Sequence, residues 1–193
     1  MVLFRPLLTA ALVAACTLPA FAADYVVDAN HTQATFTVTH LAISRVSGKV
    51  PVTSGTVSLG SSGIPTAISM TLSAKDIDTQ SAGRDRDLRG SDWFEVDKFP
   101  TMTFTAQSIT GTPQALTIAG ELTMHGVTKP ITFTAKELGK ISDQRGRTHI
   151  GYNAATTLDR RQWGLLFGST TPGGALIAGY DVTIDLNVEI VSK

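Results

Sequence analysis

The sequence predicts an all-β, single-domain fold, and three observations carry that prediction. Through most of the chain apolar and polar residues alternate with a period of two, the pattern of half-buried strands. Gly- and Pro-rich turn signals separate the alternating runs. The connections are short, which favours antiparallel pairing. Many strands with one apolar face each suit a sandwich or a closed barrel, and the pattern alone does not choose between them.

The first residues stand apart. A single charge at Arg5 precedes an apolar run from Leu7 to Leu18, followed by Pro19 and the small-residue site Ala20-Phe21-Ala22. This layout predicts a secretory signal peptide over residues 1–22, cut after Ala22, and leaves 23–193 as one domain with its own core. The run is too short to cross a bilayer as a helix. "LVAAC" also resembles a bacterial lipobox, which would make Cys16 a lipidated anchor. The cleavage region "PAFA" favours the plain cut.

Strands follow in order. A short opener lies near Tyr25. "ATFTVTH" sets Phe36, Val38 and His40 on one face, and "THLAISRVSG" is expected to hold a helical turn. "SGTVSLG" and "AISMTLS" are shorter strands. "TMTFTA" aligns Met102 with Phe104, and "ALTIAGELTMHG" aligns Leu116, Ile118, Leu122 and Met124. "PITFTA" aligns Ile131 with Phe133, and "HIGYNAATTL" aligns Ile150, Tyr152 and Leu158. "DVTIDLNVEI" is the cleanest alternation, with Val182, Ile184, Leu186, Val188 and Ile190 against polar neighbours. Turns are expected at Gly60–Gly63, Gly111–Pro113, His125-Gly126, Gly139–Gly146 and Pro172–Gly174. One stretch breaks the pattern. "SAGRDRDLRGSDWF", residues 81–94, concentrates charge and is the best helix candidate.

Composition narrows the function. The formal net charge is +0, so there is no electrostatic case for nucleic acid. The only cysteine, Cys16, lies in the leader, so the domain has no disulfide, thiolate nucleophile or cysteine metal site. The domain also lacks a transmembrane helix. An outer-membrane barrel would turn its apolar faces to lipid. Mostly short strands, no paired aromatic girdles and an ending "VEIVSK" argue against it. No Gly-x-Ser-x-Gly elbow, phosphate loop or His-Glu-x-x-His occurs, and the chain is expected not to be an enzyme.

Three long motifs resemble those of one family. "SAKDIDTQSAGRDRDLRGSDWFEVDKFPTMTF" carries Asp78-Thr79, Arg84-Asp85, Leu88, Trp93-Phe94, Pro100 and Phe104. "IAGELTMHGVTKPITFTA" and "TTLDRRQWGL" follow in the expected order. Together they resemble the YceI-like family of polyisoprenoid-binding proteins across nearly all of the mature chain. "VTHLAISRVSGKV" is similar as well, though Lys49-Val50 stands where an Arg-Phe is common. The resemblance implies a lipocalin-like antiparallel β-barrel of about eight strands, with a short helical segment near 81–94. It also implies an apolar cavity, a periplasmic location and non-covalent binding of a long-chain isoprenoid or fatty-acid-type lipid, without cofactor or metal. Transport, storage or stress protection in the cell envelope would be its use. The expected partner is the lipid, with a homodimer as an option.

The apolar faces nominate Phe36, Val38, Met102, Phe104, Leu122, Met124, Phe133, Tyr152, Leu158 and Ile184 as the barrel lining. Alone, such residues either fill a barrel or surround one small ligand; the resemblance favours the ligand. A forty-carbon tail at about 0.3 kcal/mol per heavy atom would bind with about −12 kcal/mol, near nanomolar, without polar contacts. Leu88, Trp93 and Phe94 are expected to close the mouth as a lid. Arg84, Asp85 and Arg160 are candidates for the head group. For the charged stretch, a solvated helix face with local ion pairs is the alternative. Asp159-Arg160 suggests a structural ion pair. His125 fits a hydrogen-bonded turn better than a metal or catalytic role. His31, His40 and His149 show no metal-ligand spacing. The loop "FGSTTPGGALIAG" is either a gate at the opposite end or a plain connection.

Overall fold

The computed structural model describes residues 23–193. The expected leader, its cleavage site and Cys16 lie outside these residues. Ten strands form: β1 (Ala23–Val27), β2 (Gln33–His40), β3 (Ser44–Lys49), β4 (Val52–Leu59), β5 (Pro65–Ser73), β6 (Thr101–Thr112), β7 (Ala115–Met124), β8 (Val127–Ser142), β9 (Thr148–Asp159) and β10 (Ala178–Ser192). One α-helix, α1 (Ala82–Arg89), lies between β5 and β6.

All pairings are antiparallel, and eight strands close a ring in the order β1-β4-β5-β6-β7-β8-β9-β10 and back to β1. The alternation therefore encodes a lipocalin-like barrel rather than a sandwich. The apolar positions point inward: on β7, Leu116, Ile118, Leu122 and Met124 are buried while Thr117 and Glu121 are exposed. A lipid-facing apolar exterior is thereby ruled out for these strands.

β10 closes the ring by changing partner. Along one edge it pairs with β9 from Asp181 to Val191. On the other it pairs with β2 through Ala178–Asn187 and with β1 through Ile190–Ser192. β1 and β2 are thus two stacked half-walls, and the β2–β3 hairpin raises the barrel above β1 and β4.

Four expectations change. "THLAISRVSG" is a hairpin, not a helical turn. His40 pairs with Ser44, and Leu41 and Ala42 take positive φ of 53° and 61° at its tip. Alternation in Phe36/Val38 and Val46/Gly48 matches across the two strands, and that pairing overrides the local turn signals. β8 runs on to Ser142, so the turn expected from Gly139 begins only at Asp143. A register shift between Glu137 and Gly139 leaves Leu138 as the bulged residue, and Gly139 stays in the ladder opposite Gly151. The strands of the second half are also long, 16 residues in β8 and 15 in β10, not short. The helix is a little shorter than the expected 81–94 segment, with Gly90–Phe94 in turns.

The partner switch of β10 is fastened by a cluster of charged groups. Asp28 N–H donates to the Glu189 carbonyl at 2.9 Å, and Glu189 N–H donates to Thr32 Oγ1 at 3.1 Å. His149 lies between Glu189 Oε1 (Nδ1, 2.8 Å) and Asp143 Oδ2 (Nε2, 3.2 Å). Hydrogen bonds to Glu189 and Asp143 raise the His149 pKa, and the Asp28 carboxylate raises that of His31. Desolvation pushes the Asp143 carboxyl up, but N–H donors from Arg147, His149 and Arg145 outweigh it and hold it well below the usual carboxylate range.

A histidine whose folded pKa is raised stabilises the fold fully below its unfolded pKa, about 6.5, and loses that contribution as pH climbs through the folded value. The lowered Asp143 acts in reverse: its contribution is present above about pH 4 and lost on acidification through the folded value. The melting temperature should therefore peak between about pH 4 and 6.5 and fall above it. Calorimetric scans from pH 5 to 9 check this, and His149→Asn should flatten the alkaline decline.

Candidate ligand-binding site

The barrel encloses a cavity of about 360 Å³, within the range of ligand sites. Its floor is a packed layer in which Leu116, Ile150 and Ile190 are at most 2% exposed. Its walls carry Phe36, Val38, Met102, Phe104, Leu122, Met124, Phe133, Tyr152, Leu158 and Ile184. Phe104 and Phe133 meet edge to face, centroids 5.4 Å apart. Phe104 also lies across Gly120, where a Cβ would come within 2.7 Å of its ring; Phe36 lies likewise across Gly48. Glycine lets each ring lie against the wall instead of projecting into the cavity.

The charged stretch sits at the mouth. The segment leading into it leaves β5 at Ala74, and Leu88, Trp93 and Phe94 all line the cavity there. Its charged side chains fasten it to backbone. Asp85 Oδ1 accepts from Thr79 N at 2.8 Å and Thr79 Oγ1 at 2.5 Å. Arg84 donates to Thr79 Oγ1 and to its carbonyl, at 2.8 and 2.9 Å. Arg89 donates to the carbonyls of Lys75 and Ile77 at 2.6 and 2.7 Å. The Thr79 hydroxyl and N–H hold the Asp85 carboxyl below its ordinary pKa against the effect of burial. Local ion pairs on a solvated face therefore do not describe Arg84, Asp85 and Arg89, whose partners are Thr79 and main-chain carbonyls. Asp85 is buried beneath the mouth and does not line the cavity, whereas Arg84 does.

The other side of the mouth is built on Arg160, 3% exposed. The expected Asp159–Arg160 ion pair does not form: Asp159 pairs with Arg161 at 2.6 Å. The Arg160 guanidinium instead donates to the carbonyls of Gly179 (2.9 Å), Ala178 (2.9 Å), Phe167 (2.6 Å) and Leu165. It also lies over Trp93, 4.8 Å from the ring centroid. Trp93 in turn packs on Phe167, centroids 4.9 Å apart. The 167–179 loop thus borders the same mouth as the charged stretch and is not a gate at the opposite end. His125 contacts the Trp163 carbonyl at 3.3 Å through Nδ1 and meets Phe99 edge-on at 4.9 Å, at φ 51° in its turn. This is the hydrogen-bonded turn role.

Every apolar residue expected in the lining faces the cavity, and so do Arg84 and Arg160. The titratable groups that line it are His40, Arg84, Asp87, Tyr152 and Arg160, a set without a carboxylate pair or a nucleophile–base pair. Sequence reasoning missed Ile68, Met70, Leu72 and Phe167, which also line it. The β5 trio was visible as alternation in "AISMTLS", but nothing local marks Phe167. Sequence reasoning also missed the convergence of Asp28, His31 and Glu189, whose ligand atoms lie within 4.8 Å of one another outside the cavity. Residues 28 and 189 meet only through strand pairing, so sequence spacing carries no trace of it. No helix among the described residues is long and apolar enough to cross a membrane.

Arg160 should be indispensable to the rim. Arg160→Ala leaves four buried or half-buried carbonyls without their donor, and a loss of about 3 kcal/mol or more in urea unfolding is expected. Arg160→Lys should restore little of it, because an ammonium cannot reproduce the planar fork.

Comparison with known proteins agrees with this architecture. Residues 25–190 match the YceI-like domain family. Protein YceI of Salmonella newport is 33% identical over 178 residues, 90% of each chain. A UPF0312 protein of Shewanella baltica is 34% identical over 196 residues, covering 99% of this chain and 98% of its own. Among solved structures, Burkholderia cenocepacia BcnA superposes with a TM-score of 0.71 at 15% identity, over 84% of this chain and 98% of its own. A polyisoprenoid binding domain from Saccharophagus degradans superposes with a TM-score of 0.62 at 13% identity, over 88% and 98%. With its barrel, its mouth segment and its three motifs all in place, the chain belongs to the YceI-like family.

Proposed function

We propose that this protein is a carrier that holds one long-chain polyisoprenoid, or a similar amphiphilic lipid, inside its barrel. The observation that carries the reading is the cavity: about 360 Å³, floored at one end and lined almost wholly by carbon. A cavity of that kind recognises apolar length, since each buried methylene contributes about 0.8 kcal/mol. The polyisoprenoid binding named for the Saccharophagus degradans relative supports the choice of lipid. Transport, storage or stress protection in the envelope belongs to the same reading. So does export to the periplasm, supported by the charge–apolar–"AFA" pattern of the leader. The lipid would be held without cofactor or metal, and catalysis has no place in the proposal.

Mass analysis of lipid extracted from the purified protein tests it. A stoichiometric long-chain lipid is expected; a protein that stays empty when offered isoprenoid and fatty-acyl lipids would overturn the carrier. Phe104→Asp places a carboxylate against Phe133 in the apolar wall, a costly burial. Lipid occupancy should fall to background while circular dichroism still reports a folded barrel.

Trp93 and Phe94 act in this reading as the lid. They are half-buried and face the cavity. Truncating both to Ala should speed lipid release more than it slows uptake. The lipid-free variant should melt close to lipid-free wild type, with the lipid-bound forms far apart. An equal loss of stability with and without lipid would assign the two rings to the core instead.

A further inference from the structure

Outside the cavity, where β10 changes partner, an imidazole and two carboxylates from separate parts of the chain converge. One ligand atom each of Asp28, His31 and Glu189 lies within 4.8 Å of the others. Asp28 and His31 stand in the β1–β2 connection, and Glu189 stands on β10. Main chain fixes their approach. Asp28 N–H donates to the Glu189 carbonyl at 2.9 Å, and Glu189 N–H donates to Thr32 Oγ1 at 3.1 Å. Among the described residues neither carboxylate pairs with a lysine or arginine. Their ionic partners are imidazoles, His31 for Asp28 and His149 for Glu189. A plain structural ion pair would set a permanent cation against these carboxylates, as Arg147 stands against Asp143. Imidazole together with carboxylate oxygen is instead the donor set of a divalent transition metal.

We propose that Asp28, His31 and Glu189 bind one Zn2+ or similar divalent transition-metal ion, which ties the β1–β2 connection to β10 at the ring closure. Asp28 Oδ2 faces His31 Nδ1 at 3.0 Å, near the edge of about 3.3 Å in a zinc tetrahedron with arms of about 2.0–2.1 Å. Rotation of the His31 side chain, 66% exposed, closes the wider separations without moving the backbone. Glu189 Oε1 meets His149 Nδ1 at 2.8 Å, which leaves Oε2 to the ion. His149 is in turn held through Nε2 by Asp143 Oδ2 at 3.2 Å. Such outer partners orient a ligating carboxylate. Three protein ligands leave a fourth position to water, as suits a site on the surface. Calcium and magnesium demand six or more oxygen ligands, which this set does not supply. The site lies apart from the lipid cavity and is independent of the carrier reading.

The test is calorimetric titration of Zn2+ into untagged protein stripped with EDTA and dialysed, at pH 7. Wild type should bind one ion per chain with a Kd of about 10 µM or below. Millimolar Mg2+ or Ca2+ should not compete. Zn2+ at about a hundredfold excess over Kd should raise the melting temperature by about 5 °C, and EDTA should reverse the rise. His31→Ala changes an exposed side chain, and Asp28→Asn keeps the side-chain shape. Each should weaken binding by about tenfold or more and lose most of the thermal shift. No one-to-one binding below 100 µM (about ten times the expected Kd), an affinity unchanged in both variants, or binding without a rise in melting temperature would each overturn the site.

Discussion

Ring closure through β10 is the constraint on which the other features depend. One strand must pair along its whole length with β9 while dividing its other edge between β1 and β2. The division leaves the wall uneven. β1 and β4 close the lower ring, but β3 rises above β4 with a free edge, touched only by the Lys49–Asp78 bridge. The charged stretch fills that gap. Its arginines and Asp85 supply the hydrogen bonds that a neighbouring strand would otherwise have made to residues 75–79. Concentrated charge in a sparsely charged chain thus has a structural cause. A non-strand segment closing a sheet gap needs many polar partners in few residues.

The same uneven wall decides where the cavity opens. Below the switch point, large side chains meet at the barrel axis and pack. Above it, Phe36 and Phe104 lie flat over Gly48 and Gly120, and the interior stays open. A space of about 360 Å³ walled by carbon suits apolar length, since each methylene buried there would contribute about 0.8 kcal/mol. The rim around it is organised by Arg160 through hydrogen bonds and ring contacts rather than by apolar packing alone.

By itself the sequence determined which residues face inward. Period-two alternation is a local property of each strand, so Phe36, Met102, Phe104, Leu122, Phe133 and Ile184 could be assigned to the lining without any partner strand in view. The motifs around Arg84, His125 and Arg160 likewise marked the mouth and its turns, since each is contiguous in the chain. Tertiary structure alone decided three matters. The barrel was chosen over the sandwich by the β1–β10 closure, a pairing of residues 25–27 with 190–192. The hairpin in "THLAISRVSG" was decided by cross-strand register, which outweighed unfavourable φ at Leu41 and Ala42. The partners of Arg160 and Asp85 were decided by which backbone carbonyls and N–H groups came within reach, where sequence adjacency had pointed to ion pairs.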